Sequence, residues 1–334
     1  MATTKFESSV KRVNSGLVAV KGDLRRAKSL IKEKRFEEAL TEVEAAIKAD
    51  SASLQAHFVA GNLKARLGRK EEALVHFQSA IRINPSKTKP YLRAGKICLE
   101  QKKYDDALSL FEAAIKVNPK LAVAYVAAGQ ALLEQQKYDR AVERFTQSLR
   151  LNPRMIAARQ RLAVAYSKLH KYSEAAGQLQ AALRVAPDNT SAYAALGRVH
   201  LLQKNFAAAQ EAYRKAIALK PEGRASVHLG LAEALLEENR LAEANQVLTE
   251  IPQKGQLGAR LHTLWGDLYK RQGLFKQSAE EYQAAAMLAA ESDELSELTG
   301  IDFMQEKDDS YWEQLVESFN AKAQVKIAER RSSL

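Results

Sequence analysis

Apolar residues along this chain return at helical spacing. Phe6, Val10, Val13, Leu17, Val20 and Leu24 stand three or four positions apart, so on a helix they form one stripe. Trp312, Leu315, Val316 and Phe319 do the same near the other end, after a capping-box pair at Ser310 and Glu313. Between these flanks no run alternates Val, Ile or Thr with polar residues, as a half-buried strand would. Short polar breaks such as Gln101–Asp105 and Gln135–Asp139 separate the apolar segments and read as turns between helices.

A longer period lies over the helical one. Pro85, Pro119, Pro153, Pro187 and Pro221 are equally spaced, in a chain with only seven prolines. Small residues keep the same period at Gly61, Gly95, Gly129, Ala163 and Gly197, and alanine keeps it at Ala39, Ala73, Ala107, Ala141, Ala175 and Ala209. Rings recur at Phe36, Tyr104, Tyr138, Tyr172, Phe206 and Phe275. A second large column reads Phe77, Phe111, Phe145, Leu179 and Tyr213.

A period of 34 with small, aromatic, alanine and proline columns resembles the tetratricopeptide repeat. The resemblance covers about 20–292 and implies an all-α, right-handed superhelical solenoid of about eight helix-turn-helix units. The units are 20–53, 54–87, 88–121, 122–155, 156–189, 190–224, 225–258 and 259–292. The first has Ser51 in place of its proline, and the sixth gains one residue near Gly223. The seventh has Ala232 in the glycine column, with Pro252 nearby, and the eighth carries Trp265, Gly266, Tyr269, Ser278 and Tyr282. Residues 1–19 are read as an N-terminal capping helix, 293–309 as an acidic linker, and 310–334 as a C-terminal capping helix and tail.

The columns have physical reasons. Small residues mark the crossing of the two helices, where a larger side chain would overpack the contact. Rings fill the space between successive units. Proline after the second helix cannot continue it and helps to start the next unit. One unit cannot bury its apolar face alone, whereas a stack buries a continuous core and needs caps at its ends.

Composition narrows the function. A lone cysteine, Cys98, excludes a disulfide framework and points to a reducing, cytoplasmic setting. No apolar run is long enough to span a membrane, and Met1–Gly16 lacks the apolar core of a signal peptide. The formal charge is +11. Residues 293–334 hold ten acidic and five basic side chains and residues 1–19 hold three basic and one acidic, which leaves +14 on 20–292. Such a balance favours acidic partners.

Catalytic motifs are missing from the sequence: no phosphate-cradling glycine loop, HExxH, CxxC or GxSxG occurs. The chain is therefore read as non-enzymatic, without cofactor, metal or small-molecule substrate. His57, His228 and His262 share one repeat column, and His228 with His262 is a conceivable metal pair, but packing histidines account for them. Cys98 shares a column with Leu132, Tyr166 and Leu235 and reads as a core side chain.

The resemblance further implies that positions 2, 5, 9, 12 and 13 of each first helix face a ligand. Those columns are basic at one end, with Lys21, Lys28, Lys32, Arg66, Lys89 and Lys96, and with Arg25 and Arg93 beside them. The middle is apolar or neutral through Phe58, Leu92, Leu99, Val126, Leu133, Leu201 and Leu236, with Asn62 and Gln130 as amides and Arg198 further along. Glu100, Glu134 and Glu237 edge this surface, and its far end is mixed through Arg260, Asp267, Lys270 and Arg271. Cations beside an apolar floor suit a protein or peptide ligand with acidic and hydrophobic groups.

A two-carboxylate clamp of the kind that chaperone-tail binders use requires a set of Lys and Asn that this chain lacks. Lys89 and Arg93 match one part, but Leu24, Lys28 and Val59 stand where its other groups would be. The expected role is a protein–protein scaffold, as an assembly factor or co-chaperone-like adaptor. The alternative is RNA binding through the basic repeats, which the aliphatic mid-groove disfavours. Self-association through an open end is a further expectation. The acidic 293–309 segment is expected to compete with ligand for the basic surface.

Overall fold

The computed structural model describes residues 24–220, 225–251 and 258–289, with a few positions between 314 and 321. They belong to two compact units, Met1–Leu169 and His170–Leu334. Every regular element among the described residues is an α-helix. The expected N-terminal cap and acidic linker, and most of the C-terminal cap, lie outside the described residues. Of that last helix, Val316 is fully buried.

The first unit runs α1 (24–32), α2 (Phe36–Ala49), α3 (Leu54–Arg66), α4 (Lys70–Ile83), α5 (Thr88–Glu100), α6 (Tyr104–Val117), α7 (Ala122–Glu134), α8 (Tyr138–Leu151) and α9 (Ile156–Lys168). The second unit runs α10 (Tyr172–Val185), α11 (Thr190–Leu202), α12 (Phe206–Leu219), α13 (Ala225–Glu237), α14 (Leu241–Thr249), α15 (Gly258–Arg271) and α16 (Phe275–Ala289). Odd-numbered helices are the first of each pair, here called A, and even-numbered ones the second, B.

Each A helix ends in the same backbone device. Lys34, Gly68, Lys102, Gln136, His170, Lys204, Asn239 and Gly273 have φ between 57° and 80°. They recur at the repeat period, except that the step from Lys204 to Asn239 is one longer, which is the single-residue gain read near Gly223. The following amide reaches back over the turn, as Lys103 N does to Cys98 O (2.8 Å) and Lys137 N to Leu132 O (2.9 Å). This is the Schellman geometry, which satisfies carbonyls that the helix end leaves open.

The B-to-A turns use a different device. Asn84, Asn118 and Asn152 cap their B helices, and each Oδ1 accepts from the second amide that follows it, at 3.0, 3.0 and 3.2 Å. Proline occupies the residue between, where no amide is needed. The next A helix then ties itself to that turn: the Tyr91 hydroxyl donates to Pro85 O (3.2 Å) and the Tyr125 hydroxyl to Pro119 O (3.1 Å).

The core follows the columns, with one addition. Phe77 packs with Ala94 and Ile97 of the next pair, Phe111 with Ala128 and Ala131, and Phe145 with Leu162 and Ala165. Each ring also lies directly against the glycine of its own pair. A Cβ on Gly61, Gly95 or Gly129 would stand 2.7, 2.5 or 2.6 Å from Phe77, Phe111 or Phe145 respectively. The rings thus fill space within pairs as well as between them. In the second unit Gly197 and Gly230 both close on Tyr213, and Gly266 closes on Tyr282. Ser278, in the alanine column, is fully buried and donates to Gly266 O at 2.8 Å.

Candidate functional site

Helical geometry puts positions 2, 5, 6 and 9 of an A helix on one side and the small core residues on the other. On α5 that side carries Lys89, Leu92, Arg93 and Lys96, while Ala94, Gly95 and Cys98 are buried behind it. The corresponding residues of α7 are Val123, Val126, Ala127 and Gln130. With Phe58 of α3, Leu99, Phe111 and Arg161 of α9 they line a cleft of about 600 Å³. A smaller cleft of about 430 Å³ adjoins it, lined by Asn62, Arg66, Lys70 and Glu100 among others. Arg93 and Lys96 line both.

The floor is apolar and the rim is cationic. Phe58 packs a tilted ring on Phe77, with centroids 5.8 Å apart, and Val123 is half exposed. Around them the charges differ in how far they are already satisfied. Lys70 Nζ sits 3.1 Å from Glu100, and Lys96 Nζ lies 3.9 Å from the same carboxylate. The Arg161 guanidinium donates to Gln130, which also donates to Glu134, and burial presses Arg161 below the ordinary arginine value. Arg66 stacks over Phe36 at 5.2 Å. Lys89 and Arg93 are exposed and have no carboxylate partner among the described residues.

The structure therefore brings together Phe58, Lys89, Leu92, Arg93, Lys96, Leu99, Val126 and Gln130 in one cleft, and Asn62 and Arg66 in its neighbour. Asn62 Nδ2 also donates to Phe58 O at 2.7 Å. Arg25, Lys28 and Lys32 are exposed on α1 and line neither cleft, and Lys21 lies outside the described residues. Leu133 is half-buried against the cluster around Leu132 and Phe145. Arg198 is exposed on α11 in the other unit. Leu236, read as groove floor, is instead core: it is only 2% exposed and packs with Leu235 and Leu248. Its position on the helix points partly inward, and here the surroundings close over it.

Val123, Ala127 and Arg161 escaped the sequence reading. Val123 stands in the column of Lys89, and Ala127 and Arg161 stand in that of Arg93, so their columns held the signal.

On the A helices of the second unit several charges are already paired. Arg260 pairs with Glu233, and Arg271 with Glu237 at 2.7 Å. The Tyr282 hydroxyl donates to Asp267 Oδ1 at 2.5 Å. Burial holds the Asp267 carboxyl above the usual carboxylate range and pushes Tyr213 up to about 12.

Other chemistry is sparse. Burial raises the Cys98 thiol, which disfavours the reactive thiolate. His262 Nδ1 lies 2.6 Å from Glu281 Oε2, so a hydrogen bond joins α15 to α16 at this histidine. Among the described residues no group of three or more His, Cys, Asp or Glu could hold a metal ion, and no helix is long and apolar enough to cross a membrane.

Comparisons with known proteins agree on the fold. A tetratricopeptide repeat protein from Parabacteroides merdae superposes with a TM-score of 0.55 at 16% identity, covering 86% of this chain and 99% of its own. PilF of Pseudomonas aeruginosa gives 0.54 at 18% identity, covering 69% and 99%. PilW, described as a widely conserved type IV pilus biogenesis factor, gives 0.56 at 17% identity, covering 65% and 98%. No curated protein sequence matches. The family model for the Cilia and flagella-associated protein 70 C-terminal domain matches residues 18–250, and with the repeat geometry described above the chain belongs to that tetratricopeptide-repeat family.

Proposed function

We infer that this protein is an interaction scaffold that holds a segment of a partner protein, and that the cleft of the first unit is where it does so. The observation that carries this reading is the α5 stripe Lys89, Arg93 and Lys96 standing over an apolar floor. Lys89 and Arg93 have no internal carboxylate among the described residues, so their charge is available to a ligand. Phe58, Leu92 and Val126 offer a surface that gains by being covered. The complementary ligand is a peptide with acidic groups flanking bulky apolar ones. Binding and orientation, rather than bond-making, are what this surface supplies, in keeping with an adaptor or assembly factor.

The test is fluorescence anisotropy with a panel of labelled peptides in which acidic and apolar residues are varied independently. Peptides carrying both should bind, and Lys89→Glu with Lys96→Glu should abolish that binding while the far-ultraviolet circular dichroism is unchanged. Equal affinity for the double variant would remove the cleft from the reading. Preferential binding of a labelled RNA with a steep salt dependence would replace it with nucleic-acid recognition.

A further inference from the structure

We propose that His57 and His76 form a two-imidazole site for a divalent transition-metal ion, clipping α3 to α4. The two Nδ1 atoms face each other at 3.1 Å, and the rings are tilted by 40°. Metal–imidazole bonds of about 2.0–2.1 Å to both nitrogens would subtend about 100° at the ion, within the range of tetrahedral and square-based coordination.

The tautomer is set for this. His57 Nε2 lies 3.1 Å from Ser51 O, and a carbonyl can only accept, so the proton of neutral His57 is on Nε2. Its Nδ1 lone pair is thereby left facing His76. A backbone carbonyl on the remote nitrogen is the usual outer support of a metal-binding imidazole. Without a metal, one proton shared between the two Nδ1 atoms satisfies the pair. A metal ion needs both Nδ1 lone pairs, so the proton of neutral His76 moves from Nδ1 to its Nε2 and both imidazoles remain neutral.

Charges of both signs stand beside the pair, and burial and Lys64 weigh against positive charge on His76 itself. Lys64 Nζ is held between Glu44 (3.2 Å) and Glu72 (2.6 Å), so this neighbouring cluster carries a net charge of −1. Both histidines are only partly buried, so the ion has access and keeps solvent in its remaining positions. The spacing between them is a contact register of the fold, since His262 and Glu281 meet at the same spacing in α15 and α16.

The experiment is isothermal titration of the full-length chain, stripped with chelator, using zinc chloride in two buffers of different ionisation enthalpy. The expected result at neutral pH is one ion per chain with no net proton release, hence the same heat in both buffers, and binding at least 10-fold weaker in His57→Tyr and in His76→Leu. Both replacements are residues that the same columns already hold, at Tyr91 and Leu110. Circular dichroism confirms that the variants are folded. A copper(II) titration read by electron paramagnetic resonance should show coupling to two nitrogens. Absence of saturable binding, or undiminished binding in both variants, overturns the proposal in favour of a simple shared-proton pair.

Discussion

Gly95 of α5 rests on the edge of Phe111 of α6 so closely that a Cβ at residue 95 would stand 2.5 Å from Cε1 of the ring. The ring is 2% exposed and packs with Ala128 and Ala131 of the next pair, so moving it disturbs that contact. The same pairing recurs at the same separation in Gly61 with Phe77, Gly129 with Phe145, Gly197 with Tyr213 and Gly266 with Tyr282. Where the glycine column holds Ala232, the residue at the ring position is Leu248. A methyl group on one helix is thus matched by removal of a ring from the other.

This coupling predicts a double-mutant cycle. Gly95→Ala alone should destabilise by about 1–3 kcal/mol through overpacking. Phe111→Leu alone should also destabilise, because it leaves a void beneath the glycine. Together they reproduce the Ala232–Leu248 arrangement, so the double variant should be more stable than the sum of the single effects by about 1 kcal/mol or more. Urea unfolding of the four proteins measures it, and strict additivity would refute the coupling.

The repeat columns were legible because packing restricts residue type: only a small residue fits over the ring, and only proline or its turn partners end helix B cheaply. The turns were less legible. Lys34, Gly68, Lys102, Gln136, His170, Lys204, Asn239 and Gly273 share one backbone conformation but five residue types, since these positions are exposed and φ is the constraint that they share. The cleft was legible as columns on α5, where charge and apolar residues alternate at helical spacing. It was less so at Arg161, whose partner Gln130 lies on the preceding A helix and is invisible to any local pattern. Leu236 shows the converse limit, because burial depends on what covers a position as well as on the position itself.

The left-handed turn residues give a second prediction. An L side chain at positive φ costs about 1 kcal/mol relative to glycine, less the extra chain entropy that glycine adds to the unfolded state. Lys102→Gly and Gln136→Gly should each stabilise by about 0.5–1 kcal/mol, and Gly68→Ala (φ 80°) should destabilise by about 1 kcal/mol. Thermal unfolding followed by circular dichroism would show Tm moving up for the first two and down for the third. A fall in Tm for both glycine variants would mean that these side chains make contacts worth more than the strain.

A third prediction concerns Asp267 and Tyr282. Burial holds the Asp267 carboxyl above its unfolded value, and the Tyr282 hydroxyl bond offsets only part of that. The folded state therefore binds a proton at Asp267 more tightly than the unfolded state does. This contribution to stability is full below about pH 4 and is lost as pH rises through the raised folded value. Asp267→Asn keeps an acceptor for Tyr282 and cannot ionise. The stability of the Asn variant relative to wild type should increase with pH from about 4 upward and then level off. Denaturation at a series of pH values decides it, and a difference that shrinks over this range would mean that the hydroxyl bond to the carboxylate outweighs desolvation.

The last prediction separates the two halves of the proposed cleft by their response to salt. Arg93 is an exposed cation, and its attraction for a ligand carboxylate is screened over about 10 Å at 0.1 M salt and about 3 Å at 1 M. Val123 is half exposed on the floor, and covering it depends on apolar area, which salt does not weaken. For a peptide bearing acidic and apolar groups, Arg93→Ala should therefore weaken binding several-fold at low salt and much less at 1 M. Val123→Ser should weaken it by a similar factor at both. Both residues lie at the surface, so neither change should alter stability by more than the scatter expected of surface substitutions, about 0.5 kcal/mol. Anisotropy titrations at the two salt concentrations read both effects. If the Val123 variant tracks the Arg93 variant in its salt dependence, the floor contributes nothing of its own, and the cleft acts as a charged surface rather than as a groove.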